Sequence, residues 1–263
     1  MENNRLLSAE NIIMSFGGLK ALNDVSISLK DNEILGLIGP NGSGKTTFFN
    51  VVTGIYAPTE GNIFFLDSDI AGSSPQDVAR RGVLRTFQTS RLWLELSILD
   101  NLLLGMWMRE KPNSLTAILR YRKVKEDFRV KAAEALEYMA VFSEELAGSP
   151  YRQVKELALV DRRRVEICRA LLARPRLLLL DEPAAGMDPS ETRELMRDIR
   201  KMQEKAKSLG VIIIEHDMDV ISDIAERVVV FNFGRKIAEG TFGEIRKNKE
   251  VREAYLGKEY ADA

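Results

Sequence analysis

The sequence has few residues that could cross-link the chain or hold a metal cluster: its 263 residues include one cysteine and one histidine. A single cysteine cannot form a disulfide within the chain, and one cysteine with one histidine cannot build a structural zinc site. These absences exclude a disulfide-stabilised secreted scaffold and a zinc module. They favour a reducing compartment.

Net charge is also close to absent, because 38 Lys and Arg residues face 39 Asp and Glu residues. A chain with this balance has no global basic field, so we expect no nucleic acid partner. Its longest apolar runs, such as Leu177–Leu180, are far shorter than the roughly 20 residues of a membrane-spanning helix. The first residues lack the basic start and apolar stretch of a signal peptide. We therefore expect a chain that stays inside the cell and meets a membrane only through a partner.

Short apolar runs followed by helical patterns indicate a largely parallel sheet. The three pairs of run and helix are Ile34–Ile38 with 44–53, Leu177–Leu180 with 190–209, and Val211–Ile214 with 218–226. Earlier segments, Asn11–Ser15, Val25–Leu29 and Asn62–Leu66, are short strands separated by turn residues, which is typical of a small antiparallel sheet. The predicted core is therefore α/β with an antiparallel flank.

The pattern changes between residues 97 and 156, where apolar residues recur at helical spacing. We predict an inserted helical subdomain there, a core made of residues 1–96 and 157–246, and a tail, 247–263, that forms a short helix. The stretch 108–129 is rich in Arg and Lys. It is either a docking face or an ordinary solvated helix surface.

A glycine-rich motif follows the first predicted core strand and opens a helix. Its pattern, G-x-x-x-x-G-K-[ST], is that of a phosphate-binding loop, in which backbone N–H groups and a helix N-terminus surround phosphate oxygens. Lys45 can reach the β and γ oxygens, and the Thr46 hydroxyl can hold Mg²⁺. The residues predicted to bind the nucleotide are Gly39, Pro40, Asn41, Gly42, Ser43, Gly44, Lys45, Thr46 and Thr47.

Two adjacent carboxylates, Asp181 and Glu182, end the strand that begins at Leu177. Strand ends line the ligand crevice of open α/β sheets. We interpret Asp181 as a ligand of Mg²⁺, directly or through water, and Glu182 as the group that polarises a water for attack on the γ-phosphate. The alternative is that Asp-Glu-Pro merely ends the strand and starts a turn.

Further motifs follow in a recognisable order: Arg85-Thr-Phe-Gln88, Ala185-Gly-Met-Asp188 and Ile214-Glu-His216-Asp-Met. With the phosphate loop and Asp181-Glu182 they resemble the ATP-binding cassette of ABC transporters, and the resemblance covers essentially the whole chain. It implies a P-loop NTPase cassette with a mainly parallel core sheet, an antiparallel β flank and an inserted helical subdomain. It also implies ATP and Mg²⁺ as cofactors.

The resemblance assigns roles to four further residues. Gln88 would contact Mg²⁺ and water, and His216 would contact the γ-phosphate and orient Glu182. Phe16 would stack on adenine, or else simply pack at a strand end. Asp188 would contact a second cassette across a dimer interface, or cap the helix that begins at Pro189, and both roles can hold.

Several short sequence segments resemble those of the larger of the two cassettes in branched-chain amino acid importers. Examples are Phe16-Gly-Gly-Leu-Lys-Ala-Leu, Asp181-Glu-Pro-Ala-Ala-Gly-Met, Glu215-His-Asp-Met and Ala254-Tyr-Leu-Gly257. This resemblance implies two transmembrane permease subunits, a second cassette and, indirectly, an external solute-binding protein. It places the chain on the cytoplasmic face of the membrane. The transported solute is not determined by the ATPase.

The family's signature, Leu-Ser-Gly-Gly-Gln, is replaced here by residues 157–161, Leu-Ala-Leu-Val-Asp. The family signature meets the γ-phosphate bound on the opposite subunit, so Ala158 and Val160 are expected at the dimer interface. Val160 adds a β-branched side chain where glycine would allow close approach of the backbone, and Asp161 puts a negative charge facing phosphate. Two like charges about 4 Å apart cost on the order of 4 kcal/mol at an effective dielectric constant near 20. We expect an impaired signature, and hence a heterodimer rather than a homodimer.

The function implied is ATP hydrolysis coupled to solute import, driven by closure of two cassettes. The first alternative is an ATP-gated dimerisation module that hydrolyses little because its signature is degenerate. The second is a soluble cassette of DNA repair or translation, although this chain has one cassette and no sustained heptads.

Overall fold

The computed structural model describes residues 5–88, 90–107, 121–206 and 208–256. They fall into two compact units. The first comprises Met1–Arg85, Arg176–Pro183 and Gln203–Ala263, and the second comprises Thr86–Pro175 and Ala184–Met202. The predicted helical subdomain, 97–156, lies within the second unit, and the predicted domain boundaries stay predictions. Residues 108–120 of the basic stretch lie outside the described residues.

The strands all belong to the first unit. In chain order they are β1 (Arg5–Phe16), β2 (Leu19–Lys30), β3 (Ile34–Ile38), β4 (Glu60–Phe65), β5 (Ser68–Asp69), β6 (Val83–Arg85), β7 (Leu177–Asp181), β8 (Gly210–Ile214), β9 (Arg227–Asn232) and β10 (Arg235–Gly240).

The helices are α1 (Lys45–Val52), α2 (Pro75–Arg80), α3 (Ile98–Trp107), α4 (Tyr121–Phe142), α5 (Glu144–Gly148), α6 (Leu159–Leu172), α7 (Pro189–Lys205), α8 (Met218–Ile224), α9 (Phe242–Lys247) and α10 (Lys249–Leu256), with a 3₁₀ turn at Val154–Glu156. The predicted helix in the tail is confirmed as α10.

Two sheets form the first unit, and they confirm the predicted α/β class with its antiparallel flank. One sheet has the order β2-β1-β4-β5, with antiparallel pairing throughout. The other has the order β10-β9-β3-β8-β7-β6, in which only β10 runs antiparallel to its neighbour. Every residue of β3, β7 and β8 is buried, as expected for strands covered on both faces.

The parallel strands β3, β7 and β8 end at one edge of the sheet. In their register Leu37 is opposite Ile214, and Asp181 is opposite Ile214 from the other side. The phosphate loop follows β3, Glu182 follows β7, and His216 lies two residues after β8. Parallel pairing therefore brings three distant sequence segments to one edge, where open α/β sheets bind their ligands.

Helices form the second unit, and two of them approach each other closely. A side chain at Gly105 of α3 would place its Cβ 2.1 Å from the carbonyl oxygen of Arg169 in α6, so only glycine allows this approach. Cys168 is buried in α6. Within the described part of the chain, no helix is long and apolar enough to span a bilayer.

Candidate nucleotide-binding and hydrolysis site

The loop between β3 and α1 has the backbone of a phosphate-binding loop. Gly42 and Gly44 have φ angles of +77° and +105°, which residues with a side chain rarely adopt. These conformations confirm the reason for the glycines that the sequence motif predicts. Gly44 precedes the first residue of α1, so the loop leads directly into a helix N-terminus, where anions bind favourably.

The Lys45 side chain is held inside this loop. Its Nζ donates hydrogen bonds to the carbonyl oxygens of Gly39 at 2.7 Å and Pro40 at 3.0 Å. Burial lowers the pKa of Lys45 below its ordinary value, although the carboxylates of Glu182 and Asp181 act in the opposite direction. The Lys45 ammonium therefore lies inside the loop that the motif predicts to bind phosphate.

A cleft of about 380 Å³ lies over the loop in the first unit. It brings together most of the residues predicted for the phosphates with both residues predicted for hydrolysis. The lining consists of Leu19, Lys20, Ala21, Asn41, Gly42, Ser43, Gly44, Lys45, Thr46, Thr47, Glu182, His216, Phe233 and Gly234.

Glu182 and His216 contact each other at the edge of this cleft. The distance between Glu182 Oε1 and His216 Nε2 is 2.6 Å. Glu182 has a left-handed backbone with φ +48°, an uncommon conformation for a residue with a side chain, and such conformations concentrate at functional sites. Its amide donates to the carbonyl of Ile214 at 3.0 Å, which ties it to β8. The backbone thus presents the Glu182 carboxylate to the cleft and to the histidine.

Asp181 is buried beside the cleft and pairs with Arg85. Arg85 Nη2 donates to Asp181 Oδ2 at 2.5 Å, and each side chain is only 6% exposed. Arg85 Nη1 also donates to Asn50 Oδ1 of α1 at 2.6 Å. The Arg85 of the predicted Arg-Thr-Phe-Gln motif thus has a contact that its motif alone did not suggest.

Four of the predicted residues, Gln88, Asp188, Ala158 and Val160, belong to the second unit. The backbone around Gln88 is held by Arg163, which donates to the carbonyls of Phe87 and Gln88 at 3.0 Å. The roles assigned to the four residues by resemblance stay predictions.

Asp188 caps α7, as one of its two interpretations expected. Its Oδ1 accepts hydrogen bonds from Ser190 Oγ at 2.6 Å, from the Ser190 amide at 2.7 Å and from the Glu191 amide at 3.0 Å. The Ser190 hydroxyl, followed by these amides, lowers the pKa of Asp188. A cap role does not conflict with an interface role.

The signature segment starts α6 without a side-chain cap. Ala158 occupies the N-cap position and its side chain makes no hydrogen bond. Val160 is 8% exposed, whereas Leu159 is 42% exposed, so the side chain of Val160 is buried and that of Leu159 faces solvent. The buried Val160 side chain adds little to the exposed surface of this segment, and its place at a dimer interface stays a prediction.

The charge of Asp161 is compensated. Arg164, one turn along α6, donates to Asp161 Oδ1 at 3.0 Å. The same guanidinium contacts Asp198 at 3.0 Å and Glu194 at 3.1 Å. Asp161 is therefore not the isolated negative charge on which the electrostatic argument against the signature was based.

Phe16 packs edge-on against Tyr56, with ring centroids 5.2 Å apart, and is 44% exposed. It is not among the described residues that line the cleft, and its stacking role stays a prediction. Sequence reasoning missed the lining residues of β2 and of the turn between β9 and β10. The signal for that turn was present in Phe233-Gly234, an exposed aromatic before a turn glycine.

Comparison with protein families agrees with this geometry. The model of the family described as ABC transporter matches residues 22–185. A second model, described as branched-chain amino acid ATP-binding cassette transporter, matches residues 235–261.

Curated relatives match nearly end to end. The "High-affinity branched-chain amino acid transport ATP-binding protein LivG" of Escherichia coli (strain K12) is 41% identical over 254 residues, covering 96% of this chain and 98% of the relative. BraF of Pseudomonas aeruginosa, with the same description, is 40% identical over the same shares. The probable LivG of Methanocaldococcus jannaschii is 35% identical, covering 96% of this chain and 97% of that one.

Solved structures also match over almost the whole chain. A nucleotide-free ATP-binding cassette from an ABC transporter has a TM-score of 0.81 at 31% identity, covering 97% of this chain and all of that one. An ADP conformation of an ATP-binding cassette of an ABC transporter has a TM-score of 0.81 at 30% identity, covering 97% and 99%. The chain therefore belongs to the ABC transporter family, as one of its ATP-hydrolysing cassettes.

Proposed function

We propose that this chain energises an importer of branched-chain amino acids or related small solutes. The support is of two kinds. Relatives at about the same length are described as branched-chain amino acid transport ATP-binding proteins. The family model specific to such cassettes matches the C-terminal residues 235–261, outside the general cassette match.

The observation that carries hydrolysis is the contact between Glu182 and His216 beside the phosphate loop. A carboxylate in this place can accept a proton from a water that attacks the γ-phosphate. The His216 ring, at 2.6 Å, fixes the direction of that carboxylate. Lys45 and the loop amides would hold the phosphates and stabilise the charge that develops during transfer.

The residues present suit Mg²⁺. Thr46 offers a hydroxyl on the first turn of α1, and Asp181 offers a carboxylate oxygen, and Mg²⁺ prefers oxygen ligands of this kind. Gln88 is the third residue proposed for the metal. When bound, Mg²⁺ would neutralise charge on the β and γ oxygens.

The proposed partners are a second cassette, two transmembrane permease subunits and, indirectly, an external solute-binding protein. The chain would then act at the cytoplasmic face of the membrane through the permease subunits. No nucleic acid partner is proposed.

We favour a heterodimer of cassettes. In such a dimer this chain's phosphate loop would face a partner with an ordinary signature, and this chain's own signature would face the partner's phosphate loop. The support is Ala158, which starts α6 without a side-chain hydrogen bond where the family has serine. A homodimer would contain two copies of this uncapped signature helix.

The experiment is to co-express the chain with candidate permease subunits and a candidate partner cassette, and to measure solute-stimulated ATPase in vesicles. Glu182→Gln should abolish most turnover, whereas the equivalent change in the partner should have a smaller effect. Turnover that barely changes on Glu182→Gln would contradict the proposed asymmetry. Stimulation by an unrelated solute class would contradict the substrate.

The second candidate is an ATP-gated dimerisation module with little hydrolysis. The uncapped start of α6 favours it, because the helix terminus that would meet phosphate has lost a hydroxyl donor. The same vesicles separate the two functions. ATP-dependent closure without steady-state phosphate release would support the module.

A further inference from the structure

Arg85 links three parts of the nucleotide site. It is the last residue of β6, and its side chain is only 6% exposed. One terminal nitrogen donates to Asp181 at the end of β7, and the other donates to Asn50 on α1, the helix that the phosphate loop opens. The guanidinium therefore connects the phosphate-loop helix to the carboxylate proposed for the metal.

The guanidinium is held in one orientation by its surroundings. Its central carbon lies 5.4 Å from the centroid of the Phe49 ring, which also belongs to α1. The two hydrogen bonds, at 2.5 Å to Asp181 and 2.6 Å to Asn50, use the rigid fork of the arginine side chain. A lysine, with a single ammonium, does not reproduce this fork.

The hydrogen bond from Arg85 gives the two carboxylate oxygens of Asp181 different roles. Oδ2 accepts the Arg85 hydrogen bond, so Oδ1 is the oxygen to offer to a cation. Mg²⁺ uses single carboxylate oxygens in a small octahedron, whereas Ca²⁺ accepts both oxygens of one carboxylate in a larger and looser shell. A carboxylate restricted to one oxygen therefore suits Mg²⁺ better than Ca²⁺.

We propose that Arg85 is a positioning residue that limits Asp181 to a one-oxygen contact and so makes the site discriminate Mg²⁺ from Ca²⁺. This inference rests on the proposed Mg²⁺ site, with Asp181 as a direct ligand of the cation. It adds to that site a residue that acts through Asp181 and does not itself contact the metal.

The test measures the binding of a fluorescent, non-hydrolysable ATP analogue to the intact chain in the presence of Mg²⁺, Ca²⁺ or EDTA. The readout is the ratio of the dissociation constants in Ca²⁺ and Mg²⁺. Arg85→Gln frees both oxygens of Asp181, so the preference for Mg²⁺ should fall by about tenfold, the scale on which groups around a metal site affect its affinity. Loss of the Arg85 charge should strengthen the binding of both cations. The ratio of the two dissociation constants cancels this shared effect.

The matched control is Arg227→Gln. Arg227 also forms a partly buried pair in the first unit, donating to Glu33 at 2.8 Å and 3.0 Å, but it is not among the residues that line the cleft in the described structure. This change should lower the thermal unfolding midpoint without altering the ratio. Arg85→Met guards against misfolding of Arg85→Gln, because it also removes the donor to Asp181 but keeps a long unbranched side chain, and it should lower the Mg²⁺ preference in the same way.

An unchanged ratio in folded Arg85→Gln and Arg85→Met would overturn the inference and leave Arg85 with a structural role. Identical binding of the analogue by the unmodified chain in Mg²⁺ and EDTA would instead overturn the Mg²⁺ site, and the inference with it. The two failures are distinguished by the EDTA measurement.

Discussion

His216 Nε2 lies 2.6 Å from Glu182 Oε1, although 34 residues separate them in the chain. Parallel pairing of β7 with β8 makes this contact, because both residues follow the ends of neighbouring strands. A contact with the histidine ring fixes the orientation of the Glu182 carboxylate, and with it the direction from which this group can accept a proton.

His216→Ala should lower ATP turnover by about 10²-fold to 10³-fold, within the range of general acid–base effects, and lower nucleotide affinity much less. The His216 side chain is 43% exposed, so its removal should not destabilise the fold. Turnover in the assembled complex and analogue binding by the isolated chain are the two measurements. A loss of binding as large as the loss of turnover would contradict a role in orienting Glu182.

Ala158→Ser should stabilise α6 and raise turnover. A serine at this N-cap can accept a hydrogen bond from an amide of the first turn, which is worth about 1 kcal/mol. The control is Ala173→Ser at the other end of α6, where the helix has no free amide to satisfy. Urea unfolding gives the stability, and turnover of the complex carrying Glu182→Gln reports the site that the partner's phosphate loop forms. Equal effects of the two serines would contradict the cap explanation.

Asp161→Asn should have little effect on turnover at the partner's site. Its charge is compensated by Arg164, which retains Glu194 and Asp198 after the change. The expected loss of stability is about 0.5 kcal/mol, as for other partly exposed ion pairs. A strong gain of turnover in Asp161→Asn would restore the view that its charge repels phosphate.

Phe16→Ala should weaken ATP binding by about tenfold, the effect of one stacking contact, without changing the affinity for tripolyphosphate, which has no base. Phe233→Ala is the comparison, because this exposed ring lines the cleft whereas Phe16 packs against Tyr56. Competition with a fluorescent ATP analogue measures all affinities. If only Phe233→Ala lost affinity for ATP, the result would assign adenine stacking to Phe233 and not to Phe16.

Asp188→Ala should destabilise the protein at neutral pH and much less in acid. The folded state lowers the pKa of Asp188, so its contribution is present above the ordinary aspartate value of about 4 and is lost as the pH falls through the lower folded value. Thermal unfolding from pH 7 to about pH 3 should show the gap between the two proteins narrowing. Asp188→Asn keeps an acceptor oxygen and should fall between them. A constant gap would show that the cap does not depend on charge.

Much of this could be predicted from the sequence, because the strongest signals are local. The apolar run Leu177–Leu180 is buried on both faces of a sheet and predicts β7 directly. The glycine pattern of the phosphate loop is specific to one backbone conformation. The contact between Asp161 and Arg164 could also have been predicted, since residues three apart on a helix are neighbours.

Other relationships could not be predicted, because they depend on strand order. Arg85 and Asp181 are 96 residues apart, and their pairing follows from β6 lying beside β7. Asn50 joins them only because α1 packs nearby. The burial of Val160 was equally hidden, since the exposed side of α6 depends on what packs against that helix.

The buried position of Cys168 makes this chain suitable for site-directed labelling. The sequence contains no other cysteine, and this thiol is shielded from reagents while the protein is folded. A cysteine introduced at an exposed position such as Tyr151 would therefore take a spin label or a fluorophore selectively. Distances between labels on two cassettes could then be followed during ATP turnover without first removing a native thiol.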